Sequence, residues 1–299
     1  MTENSSTKSF TLPSLANALP YLALLTGIAA LSFSSLFVRW AQAPGPVTSF
    51  YRMVIAAAVM VPLMTSRQKN HAEPLNWRFW WLPALGGIMT AMDHATWSIA
   101  IERTRVANAT LLNNIAPLWV ALTAWIFFKE RMSSRFWVGL VFTLTGAGVV
   151  FSNDLINNAH LGMGDLIAVL SSVFYAAYFL VTQRGRQHFH TLQYTALNVT
   201  SAALGLLVFN LLVGNPLTGY SLQTYLTFLA AAFISQIVGY FSVGYALGHL
   251  PASVVSPTMI AQPVLTALLA IPLMGEPLQP AQWIGGLVVL SGIYLINRR

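Results

Sequence analysis

The chain has 299 residues, of which 56% are hydrophobic and 8% are charged, and its formal net charge is +7. Soluble domains carry about 25% charged residues, so this composition excludes a protein that is surrounded by water and predicts a polytopic membrane protein. The 15 Lys and Arg are scattered over many predicted loops, which argues against a nucleic-acid partner. There is no cysteine, which excludes disulfides, thiolate nucleophiles and cysteine-ligated metals.

The first twenty residues are polar and contain Pro13 and Pro20. They lack the basic segment, apolar core and small-residue cleavage site of a signal peptide. We therefore predict that residues 1–20 form a cytoplasmic N-terminal tail and that the first membrane span acts as the insertion signal.

Apolar stretches separated by polar or Pro/Gly-containing segments predict the transmembrane helices. A helix that crosses a bilayer needs about 20 mainly apolar residues. Ten stretches meet this requirement, which predicts an all-α membrane protein. They are 21–40, 48–65, 78–101, 106–128, 134–151, 163–182, 193–213, 222–247, 252–274 and 280–297.

The second half of the chain repeats the first half at a constant offset of 146 residues. The offset places Pro117 on Pro263, Glu130 on Glu276, Trp137 on Trp283, Gly139 on Gly285 and Gly146 on Gly292. The first repeat is predicted at 21–151, the linker at 152–162 and the second repeat at 163–299. Because each repeat holds five spans, the two halves must have opposite orientations, which predicts inverted five-helix repeats around a central cavity.

The distribution of Lys and Arg predicts that both termini are cytoplasmic. With the N-terminus inside, eleven of the fifteen basic residues fall in inner segments, as the positive-inside rule requires. The inner residues are Lys8, Arg67, Lys69, Arg78, Lys129, Arg131, Arg135, Arg184, Arg186, Arg298 and Arg299. The outer residues are Arg39, Arg52, Arg103 and Arg105.

Polar residues inside the predicted spans form two candidate clusters that line one pathway. We place the first in the outer half of the membrane and the second, on the repeat-related helices, in the inner half. The outer cluster is Asp93, His94, Trp97, Asn113 and Asn114, and the inner cluster is Gln236, Tyr240, Thr258 and Gln262. The competing interpretation is that these residues only form hydrogen bonds between helices.

Asp93 carries the strongest functional signal, because a buried carboxylate is costly unless it is paired, protonated or hydrated. Arg52 is a candidate partner, although its side chain could instead extend to the outer headgroups. His94 is interpreted either as a hydrogen-bonded packing residue or as part of a proton relay. Tyr175 and Tyr178 are candidate aromatic walls, with core packing as the alternative.

Pro117 and Pro263 fall near the centres of their spans. Proline removes one helical hydrogen bond and favours a kink. We interpret the pair as gating hinges, with a fixed kink that shapes a static cavity as the alternative.

Several motifs resemble the drug/metabolite transporter superfamily, and in particular its EamA-type exporters. They are Ala116-Pro117-Leu118, Gln262-Pro263-Val264, the acidic turns Phe128-Lys129-Glu130 and Met274-Gly275-Glu276, and the Trp/Gly-containing helix after each turn. The resemblance covers essentially the whole chain. It implies a bacterial inner-membrane protein similar to the exporters of aromatic amino acids and metabolites.

A secondary transporter that exports amino acids, aromatic ones above all, is therefore the predicted function. The clusters offer both donors and acceptors, which suits a zwitterion: a carboxylate would meet Arg52 or amide donors, and an ammonium would meet Asp93 or an aromatic face. Other metabolites or cationic drugs are the alternative substrates.

An intramembrane enzyme is less favoured, since the chain has no HExxH or GxSxG motif. The chain also has no Walker A sequence that would support ATP-driven transport. No catalytic residue, metal or cofactor is predicted, membrane lipid is the expected surrounding, and the sequence is compatible with a monomer.

Overall fold

The computed structural model describes residues 15–71, 75–104, 106–150, 162–274 and 280–298, and these residues form helices and no strands. Residues 152–161 of the predicted linker, Glu276, Arg105 and Arg299 lie outside the described part. The predicted tail is described only from Leu15 onward. There it is not a separate tail, because Leu15 already begins the first helix.

The helices follow the predicted spans closely. They are α1 (Leu15–Ser32), α2 (Ser34–Ala41), α3 (Gly45–His71), α4 (Trp81–Arg103), α5 (Val106–Asn113), α6 (Ala116–Ile126), α7 (Ser134–Val150), α8 (Met163–Arg186), α9 (Thr191–Val213), α10 (Leu222–Leu247), α11 (Ala252–Thr258), α12 (Ala261–Met274) and α13 (Pro280–Asn297). Local chemistry fixes several ends. Gly214 ends α9 in the left-handed conformation (φ 77°), and the Ser221 hydroxyl accepts a hydrogen bond from the Thr224 N–H at the start of α10.

Eight stretches of the described chain are long and apolar enough to cross a membrane. They are Ala18–Val38, Gly45–Lys69, Ala109–Ile126, Met163–Arg186, Thr191–Val213, Leu222–Leu247, Ala252–Leu273 and Pro280–Asn297. The prediction of an all-helical membrane protein is confirmed at this level. The remaining two predicted spans are the helices α4 and α7. Helix α7 has only 17 residues, and α4 carries the buried polar residues Thr90, Asp93, His94 and Ser98.

Helix α4 can be this polar because it lies inside the protein. It packs along α8 on one side and along α9 on the other. Its polar side chains therefore meet protein groups that can form hydrogen bonds with them, which lipid could not.

Pro117 and Pro263 lie directly after breaks in the regular hydrogen bonding of their helices. The α-helix gives way to a turn at Asn114 and Ile115 between α5 and α6, and at Met259 and Ile260 between α11 and α12, while Ile115 and Met259 keep right-handed helical backbone angles. Each proline then occupies the first turn of the new helix, where its missing N–H costs no hydrogen bond. The predicted kinks are therefore helix breaks.

Helix α10 changes its winding in the middle. Residues Ala232–Tyr240 form a π-helical segment that contains Gln236, Gly239 and Tyr240. π-Helical segments are rare and are frequently found at functional sites, since the extra residue per turn redirects the side chains.

Helices α7 and α13 pack against each other through glycines at repeat-related positions. A Cβ atom on Gly139 would lie 2.7 Å from the Gly292 carbonyl oxygen, and one on Gly146 would lie 2.8 Å from the Gly285 carbonyl oxygen. Between the two contacts the chain advances from Gly139 to Gly146 along α7 but goes back from Gly292 to Gly285 along α13, so the helices are antiparallel. The 146-residue offset converts one contact into the other, as a two-fold axis between the helices would. A Cβ on Gly148 would meet nothing within 4 Å, so this glycine lies away from the contact.

This packing predicts different responses to the same substitution two residues apart. In Gly146→Ala the new methyl group would lie 2.6 Å from the Val289 nitrogen, a backbone atom that cannot move aside. We expect an overpacking cost of about 1–3 kcal/mol and a lower melting temperature of the purified protein in detergent. Gly148→Ala should melt at the same temperature as the wild type or slightly higher, because alanine favours the helix. Equal melting of the two variants would contradict the glycine contact.

Candidate functional site

His94 on α4 and Tyr240 on α10 contact each other at the centre of the candidate site. The Tyr240 hydroxyl lies 3.5 Å from His94 Nε2, and the two residues are separated by the repeat offset of 146. In an inverted repeat, a residue that contacts its own equivalent lies next to the axis that relates the halves. The prediction placed His94 and Tyr240 in separate clusters at opposite depths of the membrane, whereas their side chains contact each other between α4 and α10.

Both ring nitrogens of His94 face a hydroxyl group. The Ser49 hydroxyl on α3 lies 2.9 Å from Nδ1, and the Tyr240 hydroxyl faces Nε2. The imidazole is buried, with 8% of its surface exposed. His94 therefore holds α3, α4 and α10 together. Ser49 was not predicted, because one serine in an apolar helix gives no sequence signal.

Asp93 is held by a hydrogen-bonded triangle on the other side of α4. Asn113 Nδ2 donates to Asp93 Oδ1 at 3.0 Å, and the Ser171 hydroxyl donates to the same oxygen at 2.7 Å. Asn113 Nδ2 also donates to the Ser171 hydroxyl oxygen at 2.8 Å. Asp93 and Asn113, which the sequence places in the same outer cluster, are hydrogen-bonded to each other, whereas Ser171 on α8 was not predicted. Within the described residues Asp93 forms no ion pair.

Arg52 is buried on the His94 side of α4 and does not pair with Asp93. Its Nη1 donates to the Ser34 hydroxyl at 3.0 Å and its Nη2 to Gln236 Oε1 at 3.5 Å. Only 3% of its surface is exposed, so the extension to the headgroups does not occur. Because Asp93 and His94 are consecutive, their side chains diverge by about 100° around the helix. Arg52 meets the His94 face, while Asp93 points to α5 and α8.

A small cavity lies between α8, α9 and α10, next to Tyr240. Its lining residues are Tyr178, Thr182, Tyr194, Thr195, Asn198, Gln236, Tyr240 and Gly244. Tyr178, Gln236 and Tyr240 were predicted for the pathway, and the other five were not. The 146-residue offset relates Thr195, Asn198 and Tyr240 to Ser49, Arg52 and His94. Asn198 is absent from the predicted site, although the offset from Arg52 points directly to it.

Aromatic rings form one side of the cavity. The rings of Tyr178 and Tyr240 meet edge to face, with centroids 5.7 Å apart. Tyr175 stacks against Tyr178 at 6.2 Å and lies outside the cavity lining. The offset-stacked and edge-to-face geometries are the favourable ones for aromatic pairs.

The other predicted residues make contacts away from this centre. Asn114 donates to the Thr110 carbonyl of its own helix at 2.8 Å, and the Thr258 hydroxyl donates to the Val254 carbonyl at 2.7 Å. Gln262 donates to the Leu31 carbonyl at 3.1 Å and so joins α12 to α1. These bonds satisfy backbone carbonyls near the helix breaks.

Trp97 is half-buried. In the part of the chain that the structure describes, no group of three or more His, Asp or Glu side chains is arranged to hold a metal.

Residues 18–152 and 162–298 both match the profile of the EamA-like transporter family. An uncharacterized transporter of Bacillus subtilis, YwfM, is 24% identical over 278 residues, which cover 90% of this chain and 91% of that protein. A probable amino-acid metabolite efflux pump of Salmonella typhimurium is 27% identical over 59% of this chain and 62% of that protein. A probable terminal-alkyne amino-acid exporter of Streptantibioticus cattleyicolor is 27% identical over 64% of each chain.

A solved crystal structure has the same fold. Its TM-score is 0.77, it is 18% identical, and the alignment covers 93% of this chain and 96% of that one. Together with the family match, this likeness confirms the resemblance drawn from the proline motifs and the acidic turns.

The Asp93 triangle predicts that two neighbouring asparagines differ in their contribution to stability. Asn113→Ala removes one of two donors to the buried carboxyl group, a loss of about 1–3 kcal/mol. Asn114→Ala removes the same atoms but breaks only a bond to its own helix. We expect a clearly lower melting temperature for Asn113→Ala in detergent and a small change for Asn114→Ala. A larger effect of Asn114→Ala would contradict the assignment of Asn113 to Asp93.

Proposed function

Because the chain belongs to the EamA-like transporter family, we propose that it exports amino acids, with aromatic ones favoured, and related small metabolites across the cytoplasmic membrane. The observation that carries the proposal is the central site. There the buried carboxyl group of Asp93 and the buried guanidinium of Arg52 lie on different sides of α4, near tyrosine side chains. Two of the relatives are named for the export of amino acids or their metabolites. Other metabolites or cationic drugs in the same fold are the alternative substrates.

The proposed architecture is ten membrane-spanning helices in two inverted five-helix repeats, with both termini in the cytoplasm. Two kinds of contact support it. The glycine contacts of α7 with α13 are exchanged by the repeat offset, and His94 contacts its own equivalent, Tyr240. An inverted repeat allows the two ends of a central site to open in turn, which is how secondary transporters work.

The proposed movement uses the interrupted helices. The breaks before Pro117 and Pro263 free backbone carbonyls and remove the stiffness of a continuous helix. We propose that α5 and α6 bend relative to each other at the first break, and α11 and α12 at the second, so that each repeat opens one side of the site.

The proposed substrate is a zwitterion with an apolar side chain. The cavity offers tyrosine faces for an aromatic or aliphatic group and the amides of Asn198 and Gln236 for a carboxylate. An ammonium group would be attracted by the Asp93 carboxylate or by the face of Tyr240. Asp93 is also the proposed site of proton coupling, since its two donors are neutral and it has no ion-pair partner among the described residues.

Transport of radiolabelled phenylalanine into proteoliposomes tests the function and the role of Asp93. We expect uptake that unlabelled tryptophan and phenylalanine compete with and that an imposed pH gradient drives. Asp93→Asn should abolish the stimulation by the pH gradient, because an amide cannot exchange a proton, while substrate exchange without a gradient continues.

The matched control is Asp165→Asn, which changes the other buried aspartate, a side chain that accepts hydrogen bonds from Thr104 and the Gly162 N–H at the start of α8. It should keep the response to the gradient. Absence of competition by every amino acid would refute the proposed substrate class. Full gradient-driven transport by Asp93→Asn would remove Asp93 from proton coupling.

The inverted topology predicts that the same loop of each repeat lies on opposite sides of the membrane. Because the chain has no cysteine, Ala43→Cys between α2 and α3 and Gln187→Cys between α8 and α9 each introduce a single thiol. A membrane-impermeant maleimide should label Ala43→Cys in intact cells and Gln187→Cys only in inside-out vesicles. Labelling of both from the same side would exclude inversion.

A further inference from the structure

We infer that the central site contains a carboxylate-binding subsite, in which Arg52 supplies the positive charge and its repeat equivalent, Asn198, supplies a second donor. The inference rests on the proposed function, because it assigns one end of the exported amino acid to named side chains. It requires that the negative charge of the substrate contributes to binding.

Arg52 is a buried cation with only neutral partners. Its hydrogen bonds go to the Ser34 hydroxyl and to Gln236, and its Nε has no hydrogen-bond partner. A charge inside the membrane is costly unless an opposite charge or water compensates it. Within the described residues no carboxylate pairs with Arg52. A bound anion would accept the free N–H and neutralise the charge.

Asn198 presents a second unused donor from the cavity side. It is 5% exposed and it lines the cavity, and of its two Nδ2 N–H donors the neighbouring Tyr194 hydroxyl can accept from one at most. The neighbouring Tyr194 hydroxyl donates to Thr182 Oγ1 at 3.0 Å. Buried amide groups in proteins nearly always have partners, so this free N–H marks a place for an acceptor.

Gln236 connects the two donors. Its Oε1 accepts the hydrogen bond from Arg52, and its side chain lines the cavity together with Asn198. It lies in the π-helical segment of α10, which turns it toward the interior, where it is 1% exposed. A carboxylate in this region would displace the long 3.5 Å contact between Arg52 and Gln236 and leave the Gln236 amide beside it.

The chemistry of the donors fits a carboxylate. One guanidinium carries a single positive charge and two parallel N–H donors, which match the two oxygens of a carboxylate. The other groups are neutral amides and hydroxyls. A doubly charged phosphate would be left with one negative charge uncompensated among neutral groups.

Phenylalanine and two of its analogues test the subsite as unlabelled competitors of radiolabelled phenylalanine in proteoliposomes. Phenylalanine has both charges, phenylalaninamide lacks the carboxylate, and 3-phenylpropionate lacks the ammonium. For the wild type we expect phenylalanine to compete at least tenfold better than phenylalaninamide. Arg52→Gln should weaken phenylalanine about 10- to 100-fold, as expected for a lost hydrogen bond to a charged group, and should change phenylalaninamide little.

The variants at Asn198 test the second donor. Asn198→Asp keeps the shape of the side chain but places a negative charge beside the bound carboxylate, so it should weaken phenylalanine and 3-phenylpropionate more than phenylalaninamide. Arg184→Gln is the matched control, because exposed Arg184 bonds only to Gln187 among the described residues. It should behave as the wild type.

The outcomes separate the subsite from the proposed function. If the wild type transports phenylalanine and accepts phenylalaninamide equally well, or if the preference survives in Arg52→Gln, the subsite is refuted and amino-acid export stands. If the wild type transports no amino acid, both fall. Should Arg52→Gln fail to fold, Arg52→Lys retains the charge and should keep the preference for the carboxylate at reduced affinity. If Arg52→Lys instead weakens phenylalanine and phenylalaninamide to the same extent, the residue at position 52 does not act on the carboxylate and the subsite is refuted.

Discussion

The side-chain contact of His94 on α4 with Tyr240 on α10 is the interaction on which the arrangement of the site depends. Hydrogen bonds fix the imidazole between Ser49 and Tyr240 and thereby set the rotation of α4 about its axis. That rotation turns Asp93, the preceding residue, toward Ser171 on α8. Asp93 on α4 and Arg52 on α3 are therefore held against different sides of α4, where they do not neutralise each other.

The contact between α7 and α13 joins the halves differently. Its four glycines bring the two backbones directly against each other, which makes the packing close. The breaks before Pro117 and Pro263 lie on other helices. We expect the glycine contact to keep its geometry while the interrupted helices move, because helices without continuous hydrogen bonding bend most easily.

The helices could be predicted from hydrophobicity, and the symmetry of their contacts from one repeat offset, because both leave periodic signals in the chain. The site could be predicted only in part. Asp93 and Asn113 were found together because charged and amide groups are rare in apolar helices. Ser171 and Ser49 were missed because serine also satisfies carbonyls of its own helix and has no distinctive spacing. The contact between Tyr240 and His94 was not predicted, because sequence gives the order of residues along each helix but not which side chains of two helices meet.

The scaffold is symmetric at these positions, but its charges are not. Arg52 corresponds to Asn198 and Asp93 to Gly239, so both ionisable groups belong to the first repeat. A substrate shifts a conformational equilibrium only by the difference in its binding energy between the states. If the two repeats open in turn, one state surrounds the substrate with residues of the first repeat and offers it the charges of Arg52 and Asp93. The other state surrounds it with residues of the second repeat, which offer amides and hydroxyls. An empty carrier also has to bury Arg52 without an anion, which disfavours closure around that side chain. In the proposed transport cycle the unequal halves would thus couple closure of the charged side to the presence of substrate.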